Sequence, residues 1–179
     1  MKNIQIRKKI CKITHFNGIK KTIAIFLINK VYSGTNPRFF QKKAKLLRWY
    51  GCKVGRESKI VGPIYINNPI EIGNECWVGK NLQVHGNGKV IIGDRCDIAP
   101  DVTILTGSHE IGTTERRAGE GKVLYVSIGN GCWIGARSTI LGNTTINDGV
   151  VVATCSCVIR NVESNVLVAG VPAKTVRKL

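Results

Sequence analysis

Every sixth residue along most of this chain is isoleucine or valine. The branched residue stands at Val54, Ile60, Ile66, Ile72, Val78 and Val84. It resumes at Ile92, Ile98 and Ile104, then at Ile128, Ile134, Ile140, Ile146, Val152 and Val158. All fifteen positions are filled this way, although Ile and Val are only 41 of the 179 residues. A period of six matches no helix face, which repeats every 3.6 residues, and is three times the alternation of a free strand. It fits a solenoid whose short strands turn a corner every six residues, with the branched side chain inward. Glycine follows at Gly55, Gly73, Gly79, Gly93, Gly129 and Gly135, where it eases the corner. Small residues precede by two places: Ser58, Cys76, Cys96, Cys132, Ser138, Thr144 and Ser156. Three hexads close one triangular coil. Five coils follow, stacked to about 24 Å at the usual interstrand spacing.

The period breaks twice. Two extra residues near His85–Lys89 predict a corner bulge. Between Ile104 and Ile128, the stretch Thr106–Tyr125 is polar and glycine-rich, which predicts a loop expelled from one corner. Such loops often line a solenoid's binding face.

Composition closes off other classes. Hydrophobic residues make up 43%, too many for a wholly disordered chain. No apolar run approaches the roughly 18–20 residues that span a bilayer. The net charge of +16 invites a nucleic-acid reading, but its distribution argues against one. Residues 1–50 carry 13 Lys or Arg and no Asp or Glu, whereas 51–179 carry 14 basic against 11 acidic residues. No aromatic-rich basic motif is available for base stacking, so no nucleic-acid partner is expected. Seven cysteines without a C-x-x-C pair fit neither a zinc ribbon nor a disulfide framework, and predict reduced thiols in the cytoplasm. Thr22–Ile28 is apolar between lysines, but Lys30 interrupts it and no small-residue cleavage site follows, so a cleaved signal is not expected.

The stretches "IEIGNECWVGKN", "VIIGDRCDIAPDVTIL" and "VSIGNGCWIGARSTILGNTTINDGVVVA" resemble the hexapeptide repeats of left-handed β-helix acyltransferases, and "VLVAGVPAKTVRKL" resembles the segment that closes their sugar O-acetyltransferases. The resemblance covers about residues 44–179. It is nearest to O-acetyltransferases of bacterial surface polysaccharides, including the colanic-acid type, in which motifs like "LLRWYGCKVG" and "TGSHE" occur. It implies an all-β solenoid, a left-handed parallel β-helix of about five coils. Three parts are expected: a basic, helical segment at 1–50, the β-helix at 51–162 with loop 106–125 protruding, and a closing segment at 163–179. The resemblance also implies acetyl-CoA as donor, a sugar or glycan acceptor, and a homotrimer with interfacial sites.

His109, in "LTGSHEIG", falls where the family has its catalytic histidine. A hydroxyl attacking a thioester must lose its proton, and histidine titrates near neutral pH, so it serves as general base. The resemblance places an oxyanion-stabilising amide at Ala136 and Trp133 beside the acyl donor. It matches acetyl-CoA contacts to Ala136, Thr154, Ile159, Arg160, Lys174 and Arg177. Lys174 and Arg177 are cations suited to nucleotide phosphates. Two departures stand out: the usual "IGAGS" turn reads "VATCS", and the common Thr-Lys pair reads Ile159–Arg160. Galactoside enzymes carry an acceptor-binding asparagine where this chain has Gly79, with Asn81 two residues on. Galactoside specificity is therefore not expected. Asn81 and His85 are acceptor candidates; the group that orients His109 is left open between a main-chain carbonyl and Asp101. Cys155 and Cys157 read as structural thiols, because direct transfer from a thioester needs no acyl-enzyme.

Other functions compete. The acceptor could be serine or a nucleotide-linked amino sugar on the same coils. A zinc carbonic anhydrase of this fold needs three histidines. Only His85 and His109 fall near the predicted edge, so no metal is expected. A non-enzymatic scaffold leaves the polar loop and the donor-type tail unexplained. Residues 1–50 mix cations with apolar residues in "IRKKICKITHF" and "IKKTIAIFLINKVY". Helices with one apolar and one basic face are expected there in a cytoplasmic protein, and two roles stay open for them: peripheral contact with an anionic membrane, or packing against the prism or neighbouring subunits.

Overall fold

The computed structural model describes residues 18–179. The expectations for residues 1–17 lie outside that range. Coil one contains β1 (Lys53–Val54), β2 (Lys59–Ile60) and β3 (Ile64–Ile66). Coil two contains β4 (Glu71–Ile72), β5 (Trp77–Val78) and β6 (Leu82–His85). Coil three contains β7 (Val90–Ile92), β8 (Asp97–Ile98) and β9 (Thr103–Leu105), after which the pair β10 (Gly107–Ile111) and β11 (Ala118–Val123) leaves the solenoid. Coil four contains β12 (Val126–Ile128), β13 (Trp133–Ile134) and β14 (Thr139–Leu141). Coil five contains β15 (Thr144–Ile146), β16 (Val151–Val152) and β17 (Cys157–Val158). A sixth coil begins with β18 (Val166–Gly170), against which β19 (Ala173–Lys178) folds back antiparallel. The three faces are sheets that are parallel throughout except at β19: sheet 1 is β1-β4-β7-β12-β15, sheet 2 is β2-β5-β8-β13-β16-β18-β19, and sheet 3 is β3-β6-β9-β14-β17.

The hexad residues build the core. All fifteen marked Ile and Val positions are buried, and they stack in register, as in Val78, Ile98, Ile134 and Val152 along sheet 2. The small residues do more than leave room. Ser58 Oγ donates to the Gly73 carbonyl at 2.6 Å, Cys76 Sγ to Gly93 at 3.0 Å, Cys96 Sγ to Gly129 at 2.9 Å and Cys132 Sγ to Asn147 at 3.0 Å. Each satisfies a corner carbonyl of the next coil. Cysteine here acts as a slightly larger serine.

The N-terminal helices cap coil one. Residues 18–26 form helix α1, which runs into a π-turn at Leu27–Val31. Helix α2 (Phe40–Tyr50) buries Phe40, Ala44, Leu47 and Tyr50, a single face at helical spacing, and ends at Gly51 with φ 120. Lys43 on that face is fully buried; its ammonium donates to the carbonyls of Gly34, at 2.8 Å, and Val61. No carboxylate meets it among the described residues, and burial holds its ionisation below the usual lysine range.

Candidate active site

Both breaks in the hexad phase fall at the corner between sheets 3 and 1, in consecutive coils. The expelled segment is an antiparallel hairpin with Gly107 opposite Val123 and His109 opposite Gly121. Its root is fixed by Thr106, which is fully buried. The Thr106 amide and hydroxyl both donate to the His85 carbonyl, at 2.8 and 2.9 Å. The hydroxyl oxygen also accepts from the buried Gly88 amide at 3.0 Å, and the Thr106 carbonyl accepts from Leu124 N–H at 2.8 Å. The bulge of coil two is thus the seat of the hairpin of coil three. A side chain on Gly86 would meet Gly107 N at 2.4 Å, and one on Gly88 would meet the Leu124 carbonyl oxygen at 1.6 Å. Two glycines let the hairpin sit there.

His109 stands on the exposed hairpin. The strand register shifts between His109 and Ile111, and Glu110 pairs with Lys122 at 2.6 Å. The His109 Nδ1 lies 2.9 Å from the Gly119 carbonyl oxygen. A carbonyl oxygen only accepts, so Nδ1 carries the hydrogen, and in the neutral ring the lone pair is on Nε2. Asp101 is engaged elsewhere, accepting from Asn81 Nδ2 at 2.9 Å. His85 ends β6 beside Leu105, with Nε2 3.1 Å from Gln83 Oε1 and its ring exposed.

The corner between sheets 2 and 3 holds a second set. Asn81, Asp101, Arg137 and Cys155 turn it with left-handed φ of 59, 62, 58 and 59. Ala136 is half-buried there; its carbonyl accepts from Cys155 N–H at 2.9 Å. Its own N–H donates to no group among the described residues. Thr154 occupies the same place in coil five and is exposed. Trp133 projects from sheet 2 between Asp97 and Val151, exposed over 57% of its surface. Lys174 and Arg177 lie on the edge strand β19 of the same sheet, and Ile159 and Arg160 follow β17.

These candidates fall on two edges of the prism. Gly142, six residues beyond Ala136, packs under Leu124 at the hairpin root. Six residues span roughly 15–20 Å, whereas His109 is two residues past Gly107, roughly 7 Å of strand. One chain therefore sets the free Ala136 amide and the His109 ring on opposite edges of sheet 3. A hollow of about 560 Å³ lies elsewhere, along Arg48, Val54, Glu71 and Asp94. Its Glu71 pairs with Lys89 at 3.3 Å and Lys53 at 3.4 Å, which keep the carboxyl below its usual range. Hydrogen bonding with Cys132 and Cys76, together with burial, pushes the Cys96 thiol up. Among the described residues no group of three or more His, Cys, Asp and Glu could hold a metal ion.

The bacterial transferase hexapeptide (six repeats) family matches residues 125–160. The galactoside O-acetyltransferase of Escherichia coli (strain K12) is 30% identical over 150 residues, covering 83% of this chain and 74% of the relative. The chain belongs to the hexapeptide-repeat acetyltransferases. A second relative, an E. coli (strain K12) protein named as the colanic acid biosynthesis acetyltransferase WcaF, is 26% identical over 164 residues, covering 90% of this chain and 88% of the relative. A hexapeptide-repeat acetyltransferase from Vibrio cholerae O1 biovar eltor, solved with acetyl coenzyme A, superposes with a TM-score of 0.80 at 26% identity, covering 92% of this chain and 88% of that one. This acetyltransferase shares the left-handed β-helix of its relatives, with five full coils and the start of a sixth. The sequence reading missed Thr106, Gly86 and Gly88. The signal was present, since both phase breaks occupy the same corner.

Proposed function

We propose that this acetyltransferase moves the acetyl group of acetyl-CoA onto a hydroxyl of a sugar in a bacterial surface polysaccharide or its precursor. The named activities of the relatives support the donor and the sugar class. The observation that carries the chemistry is the 2.9 Å bond from His109 Nδ1 to the Gly119 carbonyl. It supports the tautomer whose Nε2 is free to accept a proton, as a general base requires. The acceptor hydroxyl attacks the thioester carbonyl carbon as its proton passes to Nε2. The developing oxyanion accepts a hydrogen bond from the Ala136 amide. Collapse breaks the carbon–sulfur bond, and the leaving thiolate recovers the proton from the imidazolium. The balance closes without an acyl-enzyme and calls on no metal.

The separation of the two edges favours a site shared between copies, with His109 from one chain and Ala136 from its neighbour. A homotrimer closes such heterologous contacts into a ring. Trp133, Ala136, Thr154, Lys174 and Arg177 then form one run along sheet 2 and its edge for the donor, whereas Ile159 and Arg160 follow β17 at the hairpin's own corner, two coils further on. Asn81 and His85 are left as acceptor contacts. Acetyl-CoA supply fits a cytoplasmic protein.

A panel of glycan hydroxyl acceptors, free serine and nucleotide-linked amino sugars, each incubated with acetyl-CoA and followed by product mass, tests this reading. Acetylation of sugar hydroxyls is expected. Transfer to serine or amino groups alone would overturn it.

A further inference from the structure

We infer that the helical cap of coil one is a docking face for an anionic lipid surface. Helix α1 has two apolar sides. Ala24 and Ile28 are buried against the solenoid. Ile19, Ile23 and Phe26, at i, i+4 and i+7, share the opposite side and are exposed over 49, 43 and 57% of their surfaces. Among the described residues nothing covers this stripe. Trp49 of α2, 45% exposed, is tied to the same helix by Lys20, whose ammonium lies 5.7 Å from the indole centroid. Exposed large apolar residues in a contiguous stripe mark an interaction surface.

The charge around the stripe selects the occupant. Lys30 follows it in the π-turn, and Lys42 and Lys45 face solvent on α2. The first acidic residue in the whole chain is Glu57. A second copy docking cap to cap would bring two such cationic surfaces together. Residues 1–17 are equally unsuited to neutralise the cap, because they add five Lys or Arg and no acid. An anionic bilayer meets both requirements, with headgroups for the cations and acyl chains for Ile19, Ile23 and Phe26. No helix among the described residues is long and apolar enough to cross a membrane, so the cap would lie in the interface. Docked this way, the coil axis carries the His109 hairpin away from the bilayer by two coils, roughly 10 Å.

The test is co-sedimentation of the full chain with vesicles of phosphatidylcholine alone and with about 30 mol% phosphatidylglycerol. Binding to the anionic vesicles at low salt is expected, at least about tenfold weaker on neutral ones and reduced at about 0.5 M salt. The double substitution Ile23→Asp and Phe26→Asp should lower anionic-vesicle binding about tenfold or more while melting temperature, oligomeric state and acetyl transfer stay unchanged. Lys30→Glu should lower it roughly fivefold or more. No binding to anionic vesicles at low salt would overturn the inference. So would wild-type binding by the double variant, which would assign the attraction to diffuse charge, or dissociation of its oligomer, which would assign the stripe to a subunit contact. Vesicle binding is read independently of the chemistry at His109.

Discussion

The hairpin that carries His109 is held by one buried hydroxyl, so Thr106→Val should loosen the site and destabilise the fold together. Valine keeps the branched shape but removes the oxygen that bonds the His85 carbonyl at 2.9 Å and the Gly88 amide at 3.0 Å. The His85 carbonyl retains the Thr106 N–H, 2.8 Å away, and loses little. The Gly88 amide is buried and keeps no partner, which costs about 1–3 kcal/mol. Losing the hydroxyl's own bond adds about 1 kcal/mol, and the added methyl returns about 0.8 kcal/mol. The net loss is about 2 kcal/mol, or about 4–8 °C in melting temperature for a chain of this size. Thr106→Ser is the control; it keeps both bonds and gives up only a methyl, about 1 kcal/mol. Urea unfolding at fixed protein concentration reads the difference. Because the hairpin root moves, kcat should fall by up to about 10²-fold in the valine variant, with acetyl-CoA affinity nearly intact. If Thr106→Val proves as stable as Thr106→Ser, the hydroxyl is not what holds the seat.

His109→Ala should lower kcat by about 10²–10⁴-fold with little change in acetyl-CoA affinity by calorimetry; retention of more than about a third of wild-type turnover would place the base elsewhere. Gly88→Ala forces a side chain to 1.6 Å from the Leu124 carbonyl oxygen, so it should cost about 3 kcal/mol or more, and an unchanged urea midpoint would contradict the contact. Burial lowers the Lys43 ionisation in the folded chain, so the folded state carries its charge at a disadvantage below that lowered value, and stability rises as pH climbs from it towards 10.5. In Lys43→Met that alkaline gain should be smaller, and parallel stability-against-pH curves for the two proteins would contradict the assignment.

The coils were legible because a single requirement, a branched residue facing a narrow axis, repeats every six residues with only two breaks in phase. The same phase also located the expelled segment. It did not disclose that Cys76, Cys96 and Cys132 donate to carbonyls one coil away, since a small side chain and a small donor look alike in sequence. The partner of His109 was beyond reach for a simpler reason: a main-chain carbonyl leaves no residue type to read, and Asp101 drew notice only because carboxylates are conspicuous. The seat formed by Gly86, Gly88 and Thr106 needed the two phase breaks to be compared with each other. Residues such as Lys174 and Arg177 sit on β19, a strand outside the hexad phase, so periodicity carried no information about which face they join.

The hexad phase also explains why the Ala136 amide is free, and turns that into a test of the shared site. Within each coil the residue before the corner donates to the coil above, as Gly135 does to Val152 at 2.8 Å, and the left-handed residue donates to the coil below, as Arg137 does to Pro100 at 3.0 Å. The residue between them donates to no carbonyl among the described residues. In coil three that place is Pro100, which has no N–H to lose, while the next residue, Asp101, keeps the same left-handed φ as Arg137. Ala136→Pro should therefore fold with wild-type stability, within about 0.5 kcal/mol. Removing the amide hydrogen should nonetheless lower kcat by about 10²–10³-fold, the usual effect of deleting one oxyanion donor. If each site takes His109 from one chain and Ala136 from its neighbour, Ala136→Pro and His109→Ala chains should complement each other. In equimolar mixed trimers about one interface in four would pair an intact base with an intact amide, restoring about a quarter of wild-type activity. Two inactive variants that stay inactive after co-refolding would show that one chain supplies both groups.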